Sequence, residues 1–330
     1  MIHIFLIILA DDVPRPFLIY DSGAEEDQRI IIFASEASLR VLCRANIWNK
    51  NGNLKMAPRI FKQPLNDNNI TCVYAFLSNK SQVTYTEMLR AIVHKCENLG
   101  MNPNPMKIVT DFEQAMFQSI RITLNQYLSI HGCFYHLTRS TWRKIQSLGL
   151  TDLYKENTDV KHFCGMMDGL SFLPLGDILI GMEYLRRIVI PELVPLLDYF
   201  DKNYVSGTTQ DNMRVTPPTF PPNLWNNREA TMVGGARTNN ICEGWNNGYH
   251  QLVGYSHPTF WKSIESLRKD EIINYKDIIR AERGDHTDSR KTSASINLQR
   301  RLENLCREHE NGTKSMEEFL QAIGHTIRMN

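Results

Sequence analysis

The strongest constraint on this chain is an alternation of pattern between residues 70 and 136. ITCVYAFL at 70–77 is apolar at successive positions, as in a strand buried on both faces. Residues 84–97 then read as a helix, with Thr84 placed to cap it and Met88, Ile92 and Cys96 recurring at helical spacing. MKIV at 106–109 predicts a second buried strand, running into Thr110-Asp111-Phe112-Glu113. Another helix follows to about Leu124, and LSIHGCFYH at 128–136 predicts a third strand. Strand–helix–strand–helix–strand implies an α/β fold, a central sheet with parallel elements and helices on its faces.

The flanks extend this core. Residues 16–35 predict two extended runs around a polar turn, and Ser35–Cys43 a short helix. From Leu137 the texture is helical: 138–148 carries Arg139, Arg143 and Lys144, and 175–189 is amphipathic. Pro191 suits a first helical turn, and Leu193, Leu197, Phe200 and Tyr204 continue the apolar spacing before a proline-rich loop at 216–227. A long helix at 260–283 presents Ile264, Leu267, Ile272, Tyr275 and Ile279. Beyond Gly284 the chain is polar until Ile296–Cys306, and a loosely ordered tail is expected. The resulting divisions are 1–35, 36–136, 137–236, 237–283 and 284–330. The opening run MIHIFLIILA lacks a basic start and precedes Asp11-Asp12. It reads as a buried strand, or as a start placed within a longer ancestral chain, rather than as a secretory signal. It is too short to span a membrane, and no membrane partner is expected.

Charge bounds the function. Across 330 residues, 37 Lys+Arg stand against 36 Asp+Glu, for a net charge of +1. That leaves no global footprint for nucleic acid, so any DNA contact must be a local basic patch, for which Arg139, Arg143 and Lys144 are the candidates. The seven cysteines are odd in number and form no CxxC pair. They read as reduced thiols, with no zinc finger spelled out.

Three segments place polar chemistry at element ends. Asn51-Gly52, within Trp48–Lys55, is a two-residue hairpin-turn signal. Asp111 ends a buried strand, where an acid must be paired, bind a cation or cap the next helix. Asn240 and Glu243, within Arg237–Trp245, fit a capping box. Gly244 and Gly248 weaken that helix, so the face of Ile241, Trp245, Tyr249 and Leu252 must hold it by burial. Cys133 and His136 alone favour packing and a hydrogen bond over a metal site, which usually needs four ligands.

Taken together, these segments resemble the Mutator-like element (MULE) transposase domain of the RNase H-like DDE transposase and integrase superfamily. The matching text is YDSG…RIIIFASE, W-x-x-[Asn51]-G-x-x-K-x-A-P-x-I-F, CVYAFLSNKSQVTY, IVTDFEQA, GCFYHLTRSTWRKIQ, SFLP and RTNNICEGWNN…HPTFWKSI, over roughly residues 16–283. The resemblance implies an RNase H-like mixed sheet with flanking helices and a large all-helical insertion before the last catalytic helix. It implies a nuclear or nucleocytoplasmic protein acting on DNA element ends, a homo-oligomer pairing those ends, and Mg²⁺ or Mn²⁺ as cofactor. In that family two Asp and one Glu hold two divalent ions that activate the attacking oxygen and stabilise the leaving one. The second Asp falls on Asp111 and the Glu on Glu243, the implied metal ligands. The family's Cys-x-x-His element falls on Cys133 and His136, and these two, with Asn239, Asn240 and Trp245 around Glu243, are taken as structural or auxiliary residues. The first Asp falls on Asn51, an amide without charge. Asp67, in the loop-like PLNDNN stretch, is a poor substitute, and that stretch reads as shorter than the family's second strand and hairpin. No zinc-binding DNA module precedes residue 16. Three functions follow as expectations: an impaired transposase core, an enzyme still active through Asp111, Glu243 and a substitute ligand, or a non-enzymatic DNA- or protein-binding protein on the same fold.

Overall fold

The structure, a computed structural model, describes residues 6–8, 14–52, 59–65, 68–125, 127–210, 214–234, 240–255, 257–285 and 292–328. The chain divides into two compact units, each built from two separated segments: Met1–Ile130 with Asn239–Ser289, and His131–Thr238 with Arg290–Asn330.

The first unit is α/β with a mixed sheet. Its first segment runs β1 (Leu6–Ile8), β2 (Pro14–Pro16), β3 (Leu18–Asp21), β4 (Ile30–Phe33), α1 (Glu36–Arg44), β5 (Ile47–Gly52), β6 (Arg59–Leu65), β7 (Asn68–Leu77), α2 (Gln82–Asn98), β8 (Lys107–Thr110), α3 (Gln114–Thr123) and β9 (Ser129–Gly132). β1 and β2 pair separately, so part of the opening apolar run is extended as expected. The main sheet has the order β3-β4-β7-β6-β5-β8-β9. The pairs β3–β4, β4–β7, β7–β6 and β6–β5 are antiparallel, and β5–β8 is parallel.

Several local expectations are corrected. Asn51-Gly52 is not a turn: both residues lie in β5, paired with Ile60 and Arg59 of β6. The stretch around 64–69 is not a shortened loop, because Pro64 pairs with Asn69 and Leu65 with Asn68 in a long β6–β7 hairpin; Asp67 itself lies outside the described residues. Thr84 does not cap α2. Ser81 does, accepting the Thr84 N–H on its hydroxyl. The third strand stops at Gly132 and the chain turns helical at Phe134, so Cys133 to His136 are not strand residues.

The strand register sorts the sheet's two faces, since successive side chains alternate. Phe33, Ile60 and Tyr74 are cross-strand partners on one face. They form one cluster with Trp245, Tyr249 and Val253 of α10 (Asn240–Val253) and with Ile264 and Leu267 of α11 (Phe260–Glu282). The buried stripe of α10 is thus 245, 249 and 253, one residue past Leu252. The inward face of α11 is less apolar than its spacing implied, because Asp270, Glu271 and Asn274 are buried along it while Ile272, Tyr275 and Ile279 are half-buried. These polar groups are satisfied as a network. Tyr74 donates to Asp270 Oδ2 at 2.6 Å, Trp245 Nε1 to the same oxygen at 2.7 Å, and Ser38 of α1 to Glu271 Oε1 at 2.6 Å. Burial pushes the Glu271 carboxyl up to about 7, against the pull of Ser35, Ser38 and Tyr74.

The second unit comprises α4 (Phe134–Ser147), α5 (Thr151–Glu156), α6 (Thr158–Gly169), α7 (Ile178–Ile188), α8 (Val194–Phe200), the strand pair β10 (Thr208–Gln210) and β11 (Arg214–Thr216), α9 (Arg228–Met232), α12 (Ser293–Glu310) and α13 (Met316–Arg328). The antiparallel β10–β11 pair corrects the expectation of an all-helical insertion. The C-terminal segment is not a loose tail either. Leu302 and Cys306 of α12 and Phe319, Leu320 and Ile323 of α13 are buried, and α13 packs along α6. A side chain at Gly165 would strike the Gly324 carbonyl, so the two helices meet backbone to backbone there. An ion pair closes the contact: Arg328 Nη2 and Nε lie 2.5 and 2.8 Å from Asp168 Oδ2, while Nη1 donates to Tyr154 at 2.9 Å. Burial holds the Asp168 carboxyl above its usual range, with Arg328 and Thr141 opposing.

Among the described residues no helix is long and apolar enough to cross a membrane. Cys43, Cys72, Cys96 and Cys164 are free thiols.

Candidate functional site

The end of the sheet where β5 and β8 finish gathers the polar groups. The two strands run parallel with Trp48 beside Ile108 and Asn49 beside Val109. β5 runs on to Gly52, past position 51, while β8 ends at Thr110, one residue before Asp111. Asn51 also pairs with Ile60, a member of the cluster packed on α10. α10 packs on β5 and β6, and Glu243 lies in its first turn. All three positions singled out in the sequence belong to the first unit, on β5, just after β8 and on the helix packed against β5 and β6. The side chains of Asn51, Asn240 and Glu243 lie outside the described set, as does all of Asn239. Trp245 is an anchor: it stacks on Tyr249 at 4.7 Å between ring centroids, and the Lys62 ammonium sits 5.9 Å from its ring.

Asp111 follows β8 and is buried, with Glu113 beyond it. Asp111 does not cap α3; Glu113 holds the N-cap position, and its side chain makes no capping bond. The Glu113 carboxylate turns elsewhere. Tyr85 of α2 donates to Oε2 at 2.5 Å, Lys50 Nζ reaches the same oxygen at 3.2 Å, and Lys80 pairs with Oε1. Lys50 lies on β5, one residue out of phase with the set facing α10, so it meets α2 instead. Its side chain is 0% exposed, and its ammonium also lies 3.9 Å from Asp111 Oδ2 and 5.1 Å from the centre of the Tyr85 ring. A buried ammonium is costly unless paired, and here carboxylates and an aromatic face supply the pairing.

Sequence reading missed Lys50, Lys80, Tyr85 and Glu113. The signal was available for Lys50. It stands two residues from Trp48, on the same side of a strand whose Trp48 is fully buried, and a lysine in that phase demands a buried anion.

Two of the donor positions that the resemblance implies depart from a two-cation centre, while the Glu243 side chain lies outside the described set. Position 51 offers an amide, and the Asp111–Glu113 pair already faces two ammonium groups. Among the described residues no group of three or more His, Cys, Asp and Glu side chains could hold a metal ion.

The remaining candidates belong to the second unit. Cys133 is buried at the N-cap of α4, and His136 is half-buried in its first turn, its ring 5.5 Å from that of Tyr135. Arg139 and Arg143 are exposed one helical turn apart. Lys144 is not part of that face. It is half-buried, with its ammonium 5.1 Å from the Tyr199 ring. A groove of about 610 Å³ in the first unit, lined by Arg15, Glu36, Arg40, Arg44, Tyr275 and Glu282 among others, involves none of these residues. The chain matches no protein-family model, no curated protein and no solved structure.

Proposed function

We propose that this chain is a transposon-derived MULE transposase core with an RNase H-like fold, ancestrally a metal-dependent DNA cleavage and strand-transfer enzyme, whose catalysis is impaired. The observation that carries the reading is the parallel pairing of β5 with β8, Asn49 beside Val109, with position 51 two residues further along β5 and Asp111 directly after the end of β8. Two further features support it. The sheet runs β7-β6-β5-β8-β9, an antiparallel meander followed by a parallel neighbour. The helix bearing Glu243 returns to β5 and β6 after a long, mostly helical segment.

In the ancestral site, Mg²⁺ or Mn²⁺ would be held by carboxylates at these positions and would supply charge stabilisation for phosphoryl transfer. Here the first carboxylate is an amide. Loss of a fixed charge aimed at developing charge costs orders of magnitude in rate. Retained DNA binding in the nucleus, by paired copies at element ends, is the activity this reading leaves. The exposed Arg139 and Arg143 favour that non-enzymatic role, because two cations one turn apart can both contact phosphates.

The test uses the full chain. Nicking of supercoiled plasmid in Mn²⁺ should be no faster than for Asp111→Ala. Nicking that Asp111→Ala abolishes would show an active enzyme instead. DNA affinity should fall with salt, and Arg139→Ala/Arg143→Ala should flatten that log–log slope by about 2 at roughly one unit per phosphate contact. A slope unchanged by the double substitution removes this surface from the reading.

A further inference from the structure

We propose that Lys50 is a built-in cation: its ammonium takes the place of a divalent ion at the Asp111–Glu113 pair. The inference rests on the ancestry proposed above and adds a second cause of silence beyond Asn51.

The geometry carries it. Lys50 is fully buried, with Nζ 3.2 Å from Glu113 Oε2 and 3.9 Å from Asp111 Oδ2. Lysine presents a compact point charge with three donors, closer to a bound ion than a planar guanidinium would be. Lys80 pairs with the other Glu113 oxygen, so two carboxylates face two ammonium groups. Tyr85 donates to Glu113 at 2.5 Å, and its ring lies 5.1 Å from the Lys50 ammonium. The direction of pull matters as much as the charge. Lys50 meets α2, on the face of the sheet opposite the cluster that packs on α10, and position 51 pairs with Ile60 of that cluster. A carboxylate oxygen of Asp111 is thus engaged toward the α2 side, whereas an ion shared with positions 51 and 243 needs it toward α10. Mg²⁺ also demands a near-octahedral shell and keeps several waters, and a fully buried lysine leaves no such shell on its side of the pair.

Two measurements on the full chain decide it. The first is a double-mutant cycle of Lys50→Met and Glu113→Gln by thermal unfolding. Lys50→Met alone should lower Tm by about 10 °C, as breaking a buried pair does, and adding Glu113→Gln should recover most of the loss. Additive losses overturn the proposal. The second is Mn²⁺ titration followed by electron paramagnetic resonance. Asn51→Asp alone should gain little affinity, and Lys50→Met/Asn51→Asp at least tenfold more. Equal affinity in the two variants, or none in either, overturns the displaced-ion role. If Lys50→Met cannot be purified folded, Lys50→Met/Glu113→Gln/Asn51→Asp, which removes the ammonium together with its nearest carboxylate, carries the titration. Failure of the ancestry reading has a different signature: a coupled Lys50–Glu113 pair with DNA affinity indifferent to salt and to Arg139 and Arg143.

Discussion

Each unit buries charge, and the two do so differently. In the second unit one acid meets one base: Asp168 lies under Arg328, with Thr141 and Tyr154 completing the hydrogen bonds. The pair stands between α6 and α13 and locks one helix to another. In the first unit the charges collect at strand ends, two carboxylates with two lysines, while a further acid, Glu271, is buried with hydroxyl partners and pushed up to about 7 by desolvation. A one-to-one pair between helices is architecture. Carboxylates crowded where strands finish are an arrangement suited to handling a ligand, and in the proposal above Lys50 fills that place. The difference teaches that burial of charge alone does not mark a site; its place on the sheet and its stoichiometry do.

The comparison can be broken most directly at Arg328. Arg328→Met leaves Asp168 buried without its cation and should cost about 3–5 kcal/mol, read by denaturant unfolding. Asp168→Leu/Arg328→Met should recover most of that loss, as expected of a purely structural pair; if it does not, the pair does more than hold helices.

Glu271 sharpens the contrast from the other side. Its folded-state value is raised from 4.5 to about 7, so the folded protein holds a proton that the unfolded chain releases between those values. Stability therefore falls as pH rises from about 4.5 to 7, by on the order of 3 kcal/mol. Glu271→Gln should remove that slope and stabilise the protein at pH 8. A pH–stability curve that Glu271→Gln leaves unchanged would refute this.

Smaller effects follow. Gly165→Ala should cost about 1–3 kcal/mol by forcing α6 and α13 apart, whereas the exposed, left-handed Gly149 has open space around it and only backbone strain to penalise it. Ser81→Ala should cost about 1 kcal/mol by removing the α2 cap. Circular dichroism melts of both variants check the ranking, and a larger loss at Ser81 than at Gly165 would reverse it.

Most of the first unit was legible. The apolar run at 70–77 and the shorter one at 108–109 are too brief for helices and sit between helical patterns, and they became β7 and β8. The Asn51-Gly52 signal misled because local turn propensity lost to ladder pairing with Ile60 and Arg59. Of the site, Asp111 and the α10 anchor Trp245 were readable, since an acid at a strand end and an aromatic stripe each have few outlets. Lys50 was not read, because a lysine beside Asn-Gly looks like a loop residue until the strand's phase is known. The C-terminal order was missed for another reason: α12 and α13 are polar overall, and their narrow buried stripes belong to a core whose other half lies far back in sequence.

The interleaving of segments also sets a timetable for synthesis. Strands β3 to β8 leave the ribosome well before α10 and α11, which cover Phe33, Ile60 and Tyr74. At about 5–20 residues per second, that apolar face stays bare for several seconds while the intervening helices are made. Apolar surface left open for that interval is prone to aggregation until α10 and α11 cover it.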